Sequence, residues 1–445
     1  MQGTQTLLAL YDMASDYDAL YRAALAQVRA SEAAVSEARA ALLPQVGFQA
    51  DLQANRLAAR ANHPLSALVG LNPYTGQPIY AQSQTIDRTY AQSDEGLKAS
   101  QSLYRPADKI TLDQSKRQLD AAQAQLTATQ QDLIVRLAQG DFDVLAPQDT
   151  LRYVGTRNDP VSHQPALAKR NFEIGNANIT DTREAQARLA MTDAQKIAAK
   201  NDLHVRQLAL EQLVGKAGVR PRPLAKAANP PAPGSSADTW TARTAHSPAV
   251  RRADQALEVA RLEVDKAKTG HKPTLDLQAS IARAQYPSGD PMGSISALTG
   301  YHAALATIGV QFVLPLFSGG AVMARERETQ ALQDKAQADL DNALRSSTQA
   351  TRAAYFNLQS NLEQVKALQA AQDASHAALQ ANQLGYKIGA RTNIDVLNAQ
   401  SQLFESERDL SHARYDALVG LLRLKQAAGV LTPGDLAQID ALLAH

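Results

Sequence analysis

FEIGNANITD at residues 172–181 and YKIGARTNID at residues 386–395 are one turn written twice, with Gly175 and Gly389 each six residues ahead of an aspartate, Asp181 and Asp395. A turn repeated at a separation of about 200 residues marks an internal duplication, and the stretches on either side repeat with it. Upstream of each copy an alanine-rich helix gives way to a proline-started alternation. The two versions are SEARAALLPQVGFQADLQ at 36–53 and DKAKTGHKPTLDLQASI at 265–281, with Pro44 and Pro273 as counterparts. A second alternation follows after a polar loop: GLKASQSLYRP at 96–106 and GVQFVLPLFSGG at 309–320.

These alternations read as strands. Val46, Phe48, Ala50 and Leu52 interleave with polar residues, as do Leu275, Leu277, Ala279 and Ile281, and period two gives each strand one apolar face. Ile308, Val310, Phe312 and Leu314 make the most apolar strand, and Leu97, Ala99 and Leu103 the weakest. Four strands per chain are predicted. NPYTGQP at 72–78 and QYPSGDPMG at 285–293 have the Pro and Gly content of hairpin tips.

The stretch 321–383 contains neither proline nor glycine, and a helix of roughly 63 residues spans about 95 Å, longer than any globular core. Leu332, Ala336, Leu340, Ala343, Ala354, Leu358, Leu362, Val365 and Leu368 fall mainly at steps of three and four, an apolar seam for helix packing. After the Gly389 turn a returning helix carries Leu403, Leu410, Ala413, Ala417, Leu421 and Leu424 on one face until Gly429 and Pro433 end it. In the first half Gly140, Pro147, Pro160 and Pro165 interrupt the equivalent ascending helix, and a break or bulge is predicted there because proline lacks the N–H of a helical bond. The expected organisation is a first repeat over 1–215, a Pro-rich linker over 216–245, a second repeat over 246–430 and a C-terminal segment over 431–445. The linker stretch RPRPLAKAANPPAPGSS at 220–236 is expected to run over the surface.

Composition narrows the function. Forty-five Lys and Arg against 44 Asp and Glu leave a net charge of +1, so no field draws nucleic acid. With no cysteine there is no disulfide, thiolate metal site or acylated N-terminal cysteine. The nine histidines are scattered without ligand spacing, and no phosphate loop, nucleophile elbow, zinc-protease helix or dinucleotide fingerprint occurs. No catalytic residue, metal site or cofactor is expected, and the chain is read as a non-enzyme. No run approaches the ~20 apolar residues of a spanning helix. No Lys or Arg precedes Arg22 and the only early apolar run is at 7–10, which reads as a processed chain without its secretory signal.

Four strands are too few to close a membrane barrel, since bacterial barrels have eight or more, and an open sheet in lipid leaves backbone groups unsatisfied. A symmetric oligomer in which each chain donates four strands and two helical hairpins resolves this. Periodicity alone equally describes a periplasmic coiled-coil adaptor or scaffold protein. Two hairpins and two strand pairs favour the conduit, since adaptors carry one hairpin between β domains.

EARAALLPQVGF at 37–48, GHKPTLDL at 270–277, LPLFSGG at 314–320 and GYKIGARTNIDVLNAQ at 385–400 resemble the TolC family of outer-membrane efflux and secretion proteins over nearly the whole chain. The last stretch is most similar to the type I protein-secretion branch. The resemblance implies an α+β membrane protein and a homotrimer. Its 12-stranded β-barrel would lie in outer-membrane lipid of a Gram-negative bacterium, continuous with a long α-helical barrel in the periplasm. It also implies a passive duct served by a periplasmic adaptor and an inner-membrane ABC transporter. The exported cargo would be a protein such as a repeat toxin, with small-molecule efflux as the alternative.

By the same resemblance Tyr386 and Arg391 of the inner hairpin hold Thr180 and Asp181 of the outer hairpin in a periplasmic gate. Asp395 would ring the pore entrance. Asn398 stands where the best-known relatives carry a second aspartate, so block by multivalent cations is expected to be weaker.

Overall fold

The computed structural model describes residues 5–60, 68–80, 85–174, 179–225, 229–286 and 301–443. In chain order the elements are α1 (Leu7–Tyr17), α2 (Ala19–Ala40), β1 (Gln45–Arg60), β2 (Leu68–Leu71), β3 (Pro78–Tyr80), β4 (Thr85–Tyr104), α3 (Pro106–Glu173) and α4 (Ile179–Val214). There follow α5 (Ala237–Arg243), α6 (Pro248–Lys268), β5 (Thr274–Tyr286), β6 (Tyr301–Val313), α7 (Ala321–Lys387), α8 (Asn393–Ala427) and α9 (Gly434–Asp440). They form two compact units, a helical one from residues 1–32, 117–260 and 332–445 and a strand-bearing one from 33–116 and 261–331.

In the strand unit, β1, β4, β5 and β6 make an antiparallel sheet in that order. Its register sorts the side chains by chemistry. Val46, Ala99, Ala279 and Ile308 lie in one row across the sheet, and Phe48, Leu97, Ile281 and Ala306 in the next. These two rows are apolar and largely exposed, with Phe48 70% and Ile308 80% exposed, and the next row outward carries Glu95 beside Arg283. The opposite face carries Ser100, Gln278 and Gly309 in one row and Asp51 beside Asp94 farther out. Here Ser280 and Thr307 hydroxyls lie 2.6 Å apart and Gln278 donates to Gln311 at 2.6 Å. A sheet with one apolar exposed face and one polar face fits lipid on one side and water on the other. Where the apolar face ends, Arg56 and Asp87 pair at 2.8 Å.

Pro44 and Pro273 stand immediately before β1 and β5, where a missing N–H costs no ladder bond. Gly96 is required by close approach: a Cβ there would sit 2.7 Å from the Ile281 carbonyl oxygen. β1 and β6 each have one partner within the chain, and in lipid each unpaired edge group costs several kcal/mol. Closure therefore requires strands from further chains. A strand pair absent from the sequence reading, β2 with β3, carries NPYTGQP as its turn. There the Asn72 N–H donates to the Gln77 carbonyl at 2.8 Å and Gly76 adopts φ +66°. The second expected tip, at 285–293, lies beyond Tyr286 outside the described residues.

In the helical unit one core gathers Leu7 and Leu10 of α1, Leu133, Ile134, Leu137, Phe142 and Leu145 of α3, Leu210 of α4, Leu418 and Leu422 of α8 and Leu436 of α9. The seam expected along α7 and α8 is formed in its lower part. Leu358 packs with Leu421 and Leu424, and Val365 with Leu410, Ala413 and Ala417, whereas Leu332 stays half exposed. The predicted break in the first ascending helix is corrected: α3 runs unbroken through Gly140, Pro147, Pro160 and Pro165. Each proline removes one bond, but Pro147 is itself buried beside the apolar run Val144, Leu145 and Ala146. Gly140 opens the helix surface to Leu210 and Leu213 of α4, which approach its Cβ position to 3.6 and 4.0 Å.

Both ends of the chain close this unit. The Asp440 carboxylate accepts the Leu7 and Leu8 N–H groups at 2.7 and 3.0 Å, satisfying the free donors at the start of α1. Asp18, between α1 and α2, accepts from the Tyr21 N–H and from Arg136. Burial pushes its carboxyl up, but these hydrogen bonds and the Arg136 charge outweigh burial and hold it below the usual range. The Pro-rich linker is exposed over most of residues 229–236 and is tied down at its start. Pro221 is buried, the Arg220 carbonyl accepts the Gln5 N–H at 3.0 Å, and the Ala225 N–H donates to Leu442 at 3.1 Å.

Candidate functional site

The second copy of the repeated turn, between α7 and α8, is fully determined by local chemistry. Gly389 has φ +76°, its N–H donates to the Tyr386 carbonyl at 3.1 Å, and the Ala390 N–H donates to Gly385 at 2.8 Å. This is the paired bonding of a Schellman C-cap, which needs a left-handed residue and hence glycine. Gly429 ends α8 in the same way, with bonds to Gln426 and Lys425 at 2.9 Å. A Cβ there would lie 2.5 Å from the Ser247 Cα.

Three residues past Gly389 the chain starts α8 with a capping box. The Asp395 N–H donates to Thr392 Oγ1 at 3.2 Å, and Asp395 Oδ2 accepts the Thr392 N–H and hydroxyl, both at 2.9 Å. These bonds, with the Arg391 charge nearby, hold the Asp395 carboxyl below its usual range. A carboxyl held low contributes its cap at neutral pH and loses it as pH falls through the lowered value. Asp395→Ala is therefore expected to speed amide exchange over residues 392–396 at pH 7. In the unaltered protein the protection of these amides, taken as the observed rate relative to the intrinsic rate at the same pH, should fall to the variant's level only on strong acidification. Equal rates in the two proteins at neutral pH would deny the cap its role.

Arg391 folds back so that its stem covers Gly385, where a Cβ would meet Arg391 Cγ at 2.6 Å. Tyr386 is half exposed on the last turn of α7, and Thr180 is exposed on the first turn of α4. Among the described residues no hydrogen bond joins Thr180 to Tyr386 or Arg391. The Asp181 side chain and Gly175 lie outside the described residues. The polar bond that does join the two hairpins near the turn comes from a residue the sequence did not single out. Arg188 on α4 donates through Nη2 to Asn398 Oδ1 at 3.1 Å while also holding Glu184 at 2.9 Å.

Deeper in the same unit α3 and α8 meet at Tyr415, whose ring stacks on Phe142 at 5.2 Å and whose hydroxyl donates to Asp149 at 2.8 Å. Burial, reinforced by the Asp149 charge, raises the phenol's pKa and keeps it a donor. With aromatics only 5% of the chain, a tyrosine and a phenylalanine inside alanine-rich helices were the available signal for this contact. Among the described residues no three His, Asp or Glu side chains converge as a metal site requires, and no helix is long and apolar enough to cross a membrane.

A four-stranded sheet apolar on one exposed face, carried with long paired helices, defines the class of outer-membrane channels built as trimers, each chain supplying four strands of a twelve-stranded barrel. The outer membrane efflux protein family matches residues 10–216 and 243–430, and the chain belongs to that family. It is a channel of the Gram-negative outer membrane, with its helical part in the periplasm, and not an enzyme.

The chain is 29% identical to outer membrane protein TolC of Vibrio cholerae, over 98% of this chain and 93% of that one. It is 27% identical to the proteases secretion protein PrtF of Dickeya chrysanthemi, over 98% and 90%. Against the alkaline protease secretion protein AprF of Pseudomonas aeruginosa it is 30% identical, over 70% of this chain and 64% of that one. Among solved structures, VceC of Vibrio cholerae superposes with a TM-score of 0.74 at 18% identity, covering 95% of this chain and 96% of its own. The outer-membrane channel OprN gives 0.73 at 20%, covering 96% and 90%.

Proposed function

We propose that this channel is the passive exit duct of a type I secretion system and that its cargo is a protein. Three copies would close the barrel, and a periplasmic adaptor with an inner-membrane ABC transporter would dock on the helical tips and supply the energy. The observation that carries the reading is the tip turn GARTNID, set between a Schellman cap and a capping box. Support comes also from two relatives named for protease secretion. Small-molecule efflux is the second reading, favoured by the likeness to the pyoverdine export protein OpmQ of Pseudomonas aeruginosa at 23% identity.

Deleting the gene in its own bacterium separates the two. Loss of one or more proteins from the culture medium, restored by the gene in trans, is the result expected. An unchanged set of secreted proteins with raised sensitivity to small toxic compounds would overturn protein export and install efflux.

At the tip, Tyr386 and Arg391 are assigned with Thr180 and Asp181 to the gate, and Asp395 to the ring of three carboxylates at the entrance. A ring of carboxylates attracts cations, but each Asp395 already has one oxygen engaged by Thr392, and Asn398 adds no charge. Cobalt in the bath is therefore expected to block single channels weakly, and Asn398→Asp to tighten the block about tenfold or more, a factor worth ~1.4 kcal/mol. Tight block of the unaltered channel would contradict this assignment.

A further inference from the structure

Asp141 is 1% exposed on α3, and among the described residues neither of its carboxylate oxygens has a hydrogen-bond partner. The duplication shows that the fold does not require a carboxylate there. GDFDVL at 140–145 corresponds to AYFNLQ at 354–359, at the spacing that separates Gly175 from Gly389, and Tyr355 stands in place of Asp141. Tyr355 packs partly buried on the cluster of Trp240, Leu358 and Leu421.

What distinguishes the first copy is its neighbour. The charge of Asp440, on α9 in the C-terminal segment beyond the second repeat, acts on Asp141, and Leu7, Phe142, Leu436 and Ile439 share one core around the pair. Asp440 is already committed, since its two oxygens accept the Leu7 and Leu8 N–H groups at the start of α1. One carboxylate thus ties the last helix to the first, and a second, buried carboxyl lies close to it.

We propose that Asp141 is a proton-operated clasp for the two ends of the chain: with a proton it leaves Asp440 seated on α1, and without one it drives Asp440 and the chain ends away from α3. Repulsion between like charges is far stronger in an interior than in water, and a buried charge without a partner is costly in itself. Both are relieved together when α9 and the start of α1 move outward and admit water.

The cations of the surrounding elements are engaged elsewhere. On α4, Arg206 pairs with Asp143 at 3.0 Å, Glu211 accepts the Gly218 N–H and His204 is exposed. On α8, Arg423 donates to Gln139 at 3.1 Å, Tyr415 donates to Asp149, and Lys425 pairs with Asp435 of α9 at 2.7 Å. On α3 itself Arg136 pairs with Asp18 and Asp132. On α1, Tyr11 accepts from Gln130, and Asp12 and Asp16 are exposed. Burial, with the Asp440 charge, holds the Asp141 carboxyl well above the ordinary carboxylate range. The closed clasp therefore keeps a proton that the open one releases to water, so opening becomes easier as pH rises from the ordinary carboxylate value toward the raised one.

The inference is independent of the cargo and is tested by hydrogen exchange on the whole protein in detergent, each amide rate being taken relative to its intrinsic rate at the same pH. From about pH 5 to about pH 8, protection at Leu7, Leu8 and residues 438–443 is expected to fall roughly tenfold or more, while the α7–α8 seam around Leu358 changes less than about twofold. Asp141→Asn, whose amide does not ionise, is expected to hold its protection within about threefold over that range. In Asp440→Asn the Leu7 and Leu8 N–H groups keep a neutral acceptor, so their protection starts lower. Its fall with pH should be smaller, because the repulsion is gone and only the burial of Asp141 remains. Flat protection in the unaltered protein, or an undiminished fall in either variant, overturns the clasp. An equal fall around Leu358 would show the whole unit opening with the charge, and would overturn Asp141 as a device of the chain ends.

Discussion

Phe142→Ala is expected to cost the helical unit about 3–5 kcal/mol, the range for emptying a large aromatic from a packed core. Phe142 is 1% exposed, and its ring lies on that of Tyr415 at an interplanar angle of 21°. Its removal strips α3 and α8 of their shared aromatic layer at the level where α1 and α4 also pack. The protein has a reporter in the same unit. Trp240, the only tryptophan, is buried against Leu358, Leu421 and Leu424 and donates through Nε1 to the Pro233 carbonyl at 3.2 Å. Denaturant unfolding followed by its emission should show the midpoint of Phe142→Ala far below that of the unaltered protein. A shift worth less than ~1 kcal/mol would mean that the core closes over the gap and that this contact is not central.

The second large effect has the opposite sign. Asp141 is completely buried in α3, neither of its carboxylate oxygens has a hydrogen-bond partner among the described residues, and burial together with the nearby Asp440 charge pushes its pKa well above the ordinary carboxylate range. A raised folded-state pKa means that the folded chain keeps a proton the unfolded chain releases. Stability is therefore fully present below the unfolded value, near 3.9, and falls as pH rises from there toward the folded value.

Asp141→Asn removes that dependence. At pH 7–8 the variant, which has no charge to bury, should be clearly more stable than the unaltered protein, and the gap should close near pH 4. Parallel stability curves across that range would show that the carboxylate has a partner after all.

Much of the fold is legible in the sequence because its signals are local and doubled. Alternation at Val46, Phe48 and Leu52 and again at Leu275, Leu277 and Ile281 dictates one apolar face per strand, and the sheet register places these residues on one face together. The repeated turn at Gly389 reads as a break between two helices, and it forms as a C-cap at Gly389 followed by an N-cap at Thr392. What was not legible depends on long-range contact. Nothing near Leu7 indicates that Asp440, at the other end of the chain, accepts its N–H. Pro147 reads as a breaker, because the packing of Val144, Leu145 and Ala146 beside it comes from α4 and α8. Arg188 reads as one more surface charge on an alanine-rich helix, since its partner Asn398 lies in the other half of the duplication.

The central claim is that four strands from one chain are an incomplete barrel. Its most direct test is the detergent-corrected mass of the protein extracted from outer membranes, measured by light scattering. The expected mass is about three times the 47.7 kDa of the chain, with the protein lost from solution when detergent is withdrawn. A monomer or dimer that remains dissolved without detergent would contradict the account, because the apolar face of the sheet would then need neither lipid nor partner strands.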